Sequence, residues 1–462
     1  MNVRKGWLST LASLLLLSIS LELCAAPQIE TWVSSKGTPV LFVSAPDLPM
    51  LDVRITFQAG SDRDRGQWGL ASLTAGLLDQ GAGDWNADLI ADRLARVGAE
   101  LSIDAQRDMA SVSLRTLTRQ AALRQAVETV ALVIAKPTFA QEDIGRVRAN
   151  VITGLNRDDQ DPGTIGQKAI YQLIFGDHPY ATDPAGTLDT LSSLVRQDLV
   201  NFHSKYYVTR NAVIAMVGDL SRSQAEELAE ILTQDLAEGE KALPVPPVPD
   251  LTTSTTRQIS FPSSQTHVYI GQAGMKRTDP DYFPLYVGNH ILGGSGLVSL
   301  LMDEVREKRG LSYSVYSYFL PLSERGPFLA SLSTKNDQAR LAREVLMATI
   351  ERFRTQGPSQ TELVAAIQNI TGGFPLRIAG NGKIAQYLAM IGFYELPLDY
   401  LDKFKDKVSA VTAEAIRDAF QRRIDPQHFA TVVVGPEVVA GAEAELGPLP
   451  FQGQVSAMPA VK

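Results

Sequence analysis

Cysteine is all but absent. Cys24 is the only one, which excludes a disulfide framework and any metal site built on several thiolates. Histidine is scarce too: His178, His203, His267, His290 and His428 are isolated, with no two at the spacing that puts paired ligands on one helix face. Each reads as a structural or surface histidine. Positive charge is in deficit, 43 Lys and Arg against 51 Asp and Glu, which removes the electrostatic footprint of a nucleic-acid or anionic-lipid binder. No phosphate loop with a following Lys-Ser/Thr occurs, and no G-x-S-x-G nucleophile elbow. Carboxylate pairs exist in any chain this acidic, and none stands out.

A run of about 20 apolar residues, the length that spans a bilayer, is also missing. The strongest apolar run, LASLLLLSISL, follows Arg4 and Lys5 and precedes the small residues Ala25 and Ala26. That order reads as a secretory signal over residues 1–26. It implies export, most simply to a periplasm, without a stable membrane anchor. Cys24 invites a lipoprotein reading, but Leu23 is bulky where lipid attachment wants a small residue.

What is present is a composition with 45% hydrophobic and 20% charged residues, ordinary for a soluble globular protein. At 462 residues the chain exceeds one hydrophobic core, so at least two domains are expected. Residues 39–44 and 51–58 read as strands, residues 69–78 (GLASLTAGLL) as an apolar helix, and residues 101–117 as paired strands. Residues 123–134 and 143–155 carry helical periodicity, and NAVIAMV at 211–217 reads as a buried strand. The class is α+β. The second half repeats the order: Gln58-Ala59-Gly60 returns as Gln272-Ala273-Gly274, NAVIAMVG at 211–218 as HFATVVVG at 428–435, and Phe202 as Phe420. The similar offsets mark a duplication with a long period. Between the copies lies the proline-rich ALPVPPVP at 242–249, a semi-rigid spacer of the kind that hinges two domains. The expected organisation is a leader at 1–26, a first domain at 27–242, a linker at 243–256, a second domain at 257–440 and a tail at 441–462. Each domain is a mainly antiparallel sheet with helices packed on it, and together they form half of a clamshell.

The most informative stretch is residues 291–319, ILGGSGLVSLLMDEVREKRGLSYSVYSYF. Gly293, Gly294 and Gly296 make a flexible turn. Leu297, Leu300, Leu301 and Val305 then repeat at helical spacing, and Gly310 ends the helix where a residue without Cβ turns left-handed cheaply. Arg309 ends the helix and Tyr313 opens a strand. Taken alone, Arg309 satisfies helix carbonyls and Tyr313 packs in a sheet. The stretch nevertheless resembles the segment that opens the second half of pitrilysin/insulinase-type zinc peptidases, the inverzincins, in the short-chain branch that includes mitochondrial processing peptidase. GDHPY at 176–180 and FHSKYYVTRNAVIAMVGD at 202–219 resemble further segments of that family. The resemblance implies that Arg309 and Tyr313 reach an active site, hold substrate and stabilise the oxyanion. It also implies that Gly293, Gly294 and Gly296 let a peptide approach, although a plain helix-entry turn explains the glycines equally well.

One departure decides what the resemblance can mean. Such peptidases carry H-x-x-E-H on the helix that begins here at Gly69: two imidazoles bind zinc and the Glu activates water. The corresponding positions are Ser72, Ala75 and Gly76, and residues 66–78 contain no ionisable side chain at all. The third ligand, an acid expected near residues 150–156, is missing as well. The expectation is a chain with no metal of its own that binds peptide substrate and completes the active site of a homologous H-x-x-E-H subunit, where the zinc resides. The alternative is an inert structural or peptide-binding scaffold of the same fold.

Overall fold

The computed structural model describes residues 28–436; the leader and the tail lie outside the described residues. In the first half the strands of the main sheet are β1 (Glu30–Val33), β2 (Pro39–Ser44), β3 (Met50–Phe57), β4 (Glu100–Ala105), β5 (Ala110–Leu117) and β6 (Ala212–Gly218). They form a six-stranded sheet in the order β1-β2-β6-β3-β5-β4. In the second half, β7 (Thr255–Ser260), β8 (Gln265–Ala273), β9 (Ser312–Phe319), β10 (Pro327–Lys335) and β11 (Ala430–Gly435) form a five-stranded sheet in the order β9-β10-β8-β11-β7. Apart from β1 the two orders match strand for strand. Each has one parallel pair, β2 with β6 and β7 with β11, and every other pairing is antiparallel. The duplication seen in the sequence is therefore a duplication of topology. Both Gln-Ala-Gly triplets fall at the end of the central strand of their sheet.

Strands β2 and β6 read as nearly unbroken apolar runs because both of their faces are covered. Val40, Phe42, Ile214 and Met216 enter the core of the first half. The alternating residues Leu41, Val43, Ala215 and Val217 enter the core of the second. The exchange is carried by helices. Helix α1 (Leu70–Ala75) and helix α2 (Gln141–Asp158) stay with the first half, but helix α3 (Pro162–Phe175) lies on β8 and β11 of the second sheet. In the second half, helix α4 (Tyr282–Asn289) stays with its own sheet and supports the 290s, while helix α5 (Asn381–Phe393) completes the exchange by lying on β3 and β6 of the first sheet. Each crossing helix seats a glycine against its foreign sheet. A Cβ on Gly166 would stand 2.3 Å from the Tyr269 ring, and one on Gly392 2.5 Å from Val213. The boundary at 243–256 thus separates the sheets but not the helices.

The linker differs from the expected hinge. Val245 and Val248 are buried with Ile170, Phe175 and Tyr180. The strap is pinned by His178 Nε2 on the Pro246 carbonyl (2.8 Å), Arg325 on the Val248 carbonyl (2.5 Å) and Arg63 on the Leu243 carbonyl (2.6 Å). Proline removes backbone donors and leaves carbonyls exposed as acceptors, and cations from both halves take them. Among the described residues no helix is long and apolar enough to cross a membrane.

Candidate functional site

Helix α1 is shorter than its apolar run, ending at Ala75 with Gly76 as its C-cap. Gly69 precedes it at φ +93°, and Asp64 caps it: Oδ2 accepts from the Gly69 amide and Oδ1 from the Ala71 amide, both at 2.8 Å. At the degenerate positions Ser72 Oγ donates to the Pro184 carbonyl at 2.6 Å, Ala75 is fully buried, and a Cβ on Gly76 would lie 3.5 Å from Val147 on α2. The wall that should offer an acid offers Val147 and Val151, both packed against the core. The residues present do not fit a zinc ion, and among the described residues no three His, Cys, Asp or Glu side chains are grouped to hold a metal. Rebuilding the motif as S72H/A75E/G76H should therefore yield no stoichiometric zinc. Metal analysis of the purified variant checks this, and one equivalent of zinc would refute it.

Burial pushes the Asp64 carboxyl up to about 7, against the amide bonds that favour its ionised form. Between about pH 4, where an unfolded Asp titrates, and 7, the folded chain keeps a proton the unfolded chain has lost, so this residue's contribution falls as pH rises. Asp64→Ala, which removes the cap, should destabilise by about 1–2 kcal/mol. The gap to wild type should narrow from pH 5 to 8 in urea unfolding, and a gap that widens would contradict this titration.

Residues 291–319 are less regular than their periodicity predicts. His290–Gly294 is a π turn, Gly296–Val298 a 3₁₀ turn and Met302–Glu307 a second π segment. Gly296 at φ +65° and the extended Ser299 break the helix, so Leu297 (67% exposed) and Val298 (82%) face outward instead of packing. Gly310 ends the segment at φ +61° as expected. The amide of Gly310 donates to the Arg306 carbonyl, the usual left-handed cap bond, and that of Leu311 to the Val305 carbonyl, one residue wider than the usual companion bond because the last turn is π. The three glycines separate in role. Gly293 is buried, and a Cβ there would stand 2.4 Å from Ser317 Oγ; Gly294 and Gly296 are exposed. Asn289 completes the clamp, donating to the Ser317 carbonyl (3.0 Å) and accepting from Ser317 Oγ (2.8 Å). This closes the middle of β9, the outer strand of its sheet, to further pairing.

Ser312 opens β9, and Tyr313 sits in an irregularity between Ser312 and Val315, 81% exposed. Arg309 is engaged inward. Its Nη1 donates to the Glu304 carbonyl and to Glu304 Oε2, each at 2.7 Å. Glu304 is buried and also receives Lys308 (2.9 Å) and Arg352 (3.0 Å). Burial alone would raise its carboxyl; hydrogen bonds from Lys308, Arg309 and Arg352 outweigh that and hold it at about 2. The arginine that lies over the Tyr313 ring is Arg306, at 4.8 Å. Arg309 is singled out because the family resemblance assigns the role to the arginine at this position of the segment. Arg306, one helical turn before Gly310, carried no separate signal.

The chain is similar over 89% of its length to the crystal structure of a peptidase M16 inactive domain from Pseudomonas fluorescens, with 36% identity, a TM-score of 0.86 and 98% of that chain covered. The chain belongs to the peptidase M16 inactive-domain family. The model of that family matches residues 193–370, a span that includes the whole Gly293–Tyr313 segment. An uncharacterized zinc protease from Streptomyces coelicolor is 24% identical over 78% of this chain and 79% of its own length. A non-peptidase homolog, YmxG, from Helicobacter pylori is 25% identical over 87% and 93%. Within the M16 family this chain is a non-catalytic, peptidase-like member, and its two-sheet clamshell architecture is that of its structural neighbours.

Proposed function

We propose that this chain is the non-catalytic, substrate-binding subunit of a zinc metallopeptidase, completing the active site of a homologous partner that carries H-x-x-E-H. One observation carries the reading. The half that would hold metal is filled by Ser72, Ala75, Gly76 and Val147, while the other half presents Tyr313 to solvent with Arg306 over its ring. An exposed phenol beside a guanidinium suits a developing oxyanion and a peptide carbonyl, because both groups donate to negative charge. In this arrangement Arg306 takes the substrate-side role first assigned to Arg309. The partner supplies metal, general base and water; this chain binds and orients the peptide. Exposed Leu297 and Val298 beside Gly296 add an apolar surface of the kind that partners cover. The leader expected at residues 1–26 is the support for a periplasmic compartment.

The inert scaffold is the second reading. The inward ion pairs of Arg309 and the packing of Gly293 on Ser317 give that motif a structural purpose. Sedimentation of this chain with an H-x-x-E-H homologue encoded beside it separates the two. A heterodimer at micromolar concentration is expected, and two independent monomers would leave the scaffold.

A further inference from the structure

The turn Ser61–Arg63, just before the Asp64 cap, holds four buried side-chain atoms without a hydrogen-bond partner: Ser61 Oγ, both carboxylate oxygens of Asp62, and Arg63 Nε. The Asp62 side chain is 1% exposed, and Arg63 Nη2 stands 3.3 Å from Oδ2 without hydrogen-bond geometry. A carboxylate buried without donors is costly when ionised. Its neighbour across the turn is differently placed. Asp108 accepts from Tyr180 (2.5 Å), the Ser323 amide (2.6 Å) and Tyr394 (3.0 Å), the last two from the second half. Gly60 permits this approach: a Cβ there would stand 2.2 Å from the Arg107 carbonyl oxygen and 2.4 Å from the Asp108 backbone.

The groups that face Asp62 are Arg63 and Asp64 on its own segment, Asp108 on the β4–β5 turn, Tyr180, and Tyr394 after α5. His178 and Glu324 border Asp108. Arg107, beside Asp108 in sequence, is committed to the Tyr171 ring at 3.9 Å and to the Tyr180 carbonyl at 3.1 Å. Asp62 therefore sits among two other carboxylates with one misaligned guanidinium, where the first sheet, the linker strap and the second half meet.

We propose that Asp62 is a proton-controlled latch of this seam: as the neutral acid it lets the turn, the strap and the Asp108 hub pack together, and loss of its proton to water forces them apart. Burial raises this carboxyl well above the usual range; Arg63 opposes the rise, and Asp108 and Asp64 add to it. The folded state thus holds a proton the unfolded state has released, and its stability falls as pH rises toward the folded pKa.

Hydrogen exchange of the mature chain, corrected for intrinsic rates and followed between about pH 5.5 and 9, tests the latch. Peptides over residues 58–66, 104–110, 242–250 and 320–326 should lose protection together, by about tenfold or more, as pH rises. In Asp62→Asn the loss above about pH 7, beyond the range in which Asp64 titrates, should disappear. Wild-type protection that is independent of pH would overturn the proposal. So would an unchanged loss in Asp62→Asn, which would assign it to Asp64. If that variant does not fold, Arg63→Gln keeps the test open: without the opposing cation the transition should move to higher pH, and an unmoved transition contradicts the latch.

Discussion

Tyr313→Phe should lower turnover of the reconstituted complex by about 100-fold while leaving its assembly intact, the usual cost of removing one donor to a developing oxyanion. The phenol is exposed, and among the described residues its hydroxyl meets no partner, so its deletion removes nothing from the fold. The ring and its contact with Arg306 remain. Arg306→Gln should also slow turnover with little loss of stability, whereas Arg309→Gln should cost stability first, because its guanidinium serves Glu304. Steady-state kinetics on an unstructured peptide, with assembly measured by sedimentation, separate these effects. Turnover unchanged by Tyr313→Phe would remove this residue from the reaction.

Glu304→Ala should destabilise the second half by about 3–5 kcal/mol, the range found when one member of a buried ion cluster is deleted. The carboxylate is 5% exposed and joins Lys308, Arg309 and Arg352. Lys308 and Arg309 approach from the C-terminal end of the π segment and Arg352 from the helix Ala339–Gln356. Losing the shared anion leaves them facing one another around a vacated site. Since the same cluster sets the end of the π segment that carries Arg306 and leads into Tyr313 on β9, the variant should lose assembly and turnover as well as stability. Urea unfolding of the isolated chain gives the stability term, and a loss below about 1 kcal/mol, the worth of an exposed pair, would show that the cluster is not structural.

The duplication was legible because period-2 apolar alternation closed by glycine encodes a central strand wherever it occurs. Two copies at one long offset therefore had to give two related sheets. The degenerate metal site was legible because Ser72, Ala75 and Gly76 lack the chemistry whatever their geometry. The exchange of α3 and α5 was not legible: helical periodicity shows that an apolar face exists, not which sheet it meets, and the glycines at 166 and 392 look like ordinary helix interruptions. The π turns around Gly293 and Val305 were hidden for a similar reason, since leucines at this spacing suit 3.6 or 4.4 residues per turn. The pinned linker was missed because its partners, His178, Arg63 and Arg325, lie far away in sequence.

The most direct measurement is peptidase activity on an unstructured peptide, with zinc content determined on the same samples, for this chain alone and mixed with an H-x-x-E-H homologue encoded beside it. The account predicts neither zinc nor activity in the chain alone, and activity in the mixture well above that of the homologue by itself, with zinc only in the homologue. Stoichiometric zinc and turnover in the isolated chain would contradict it.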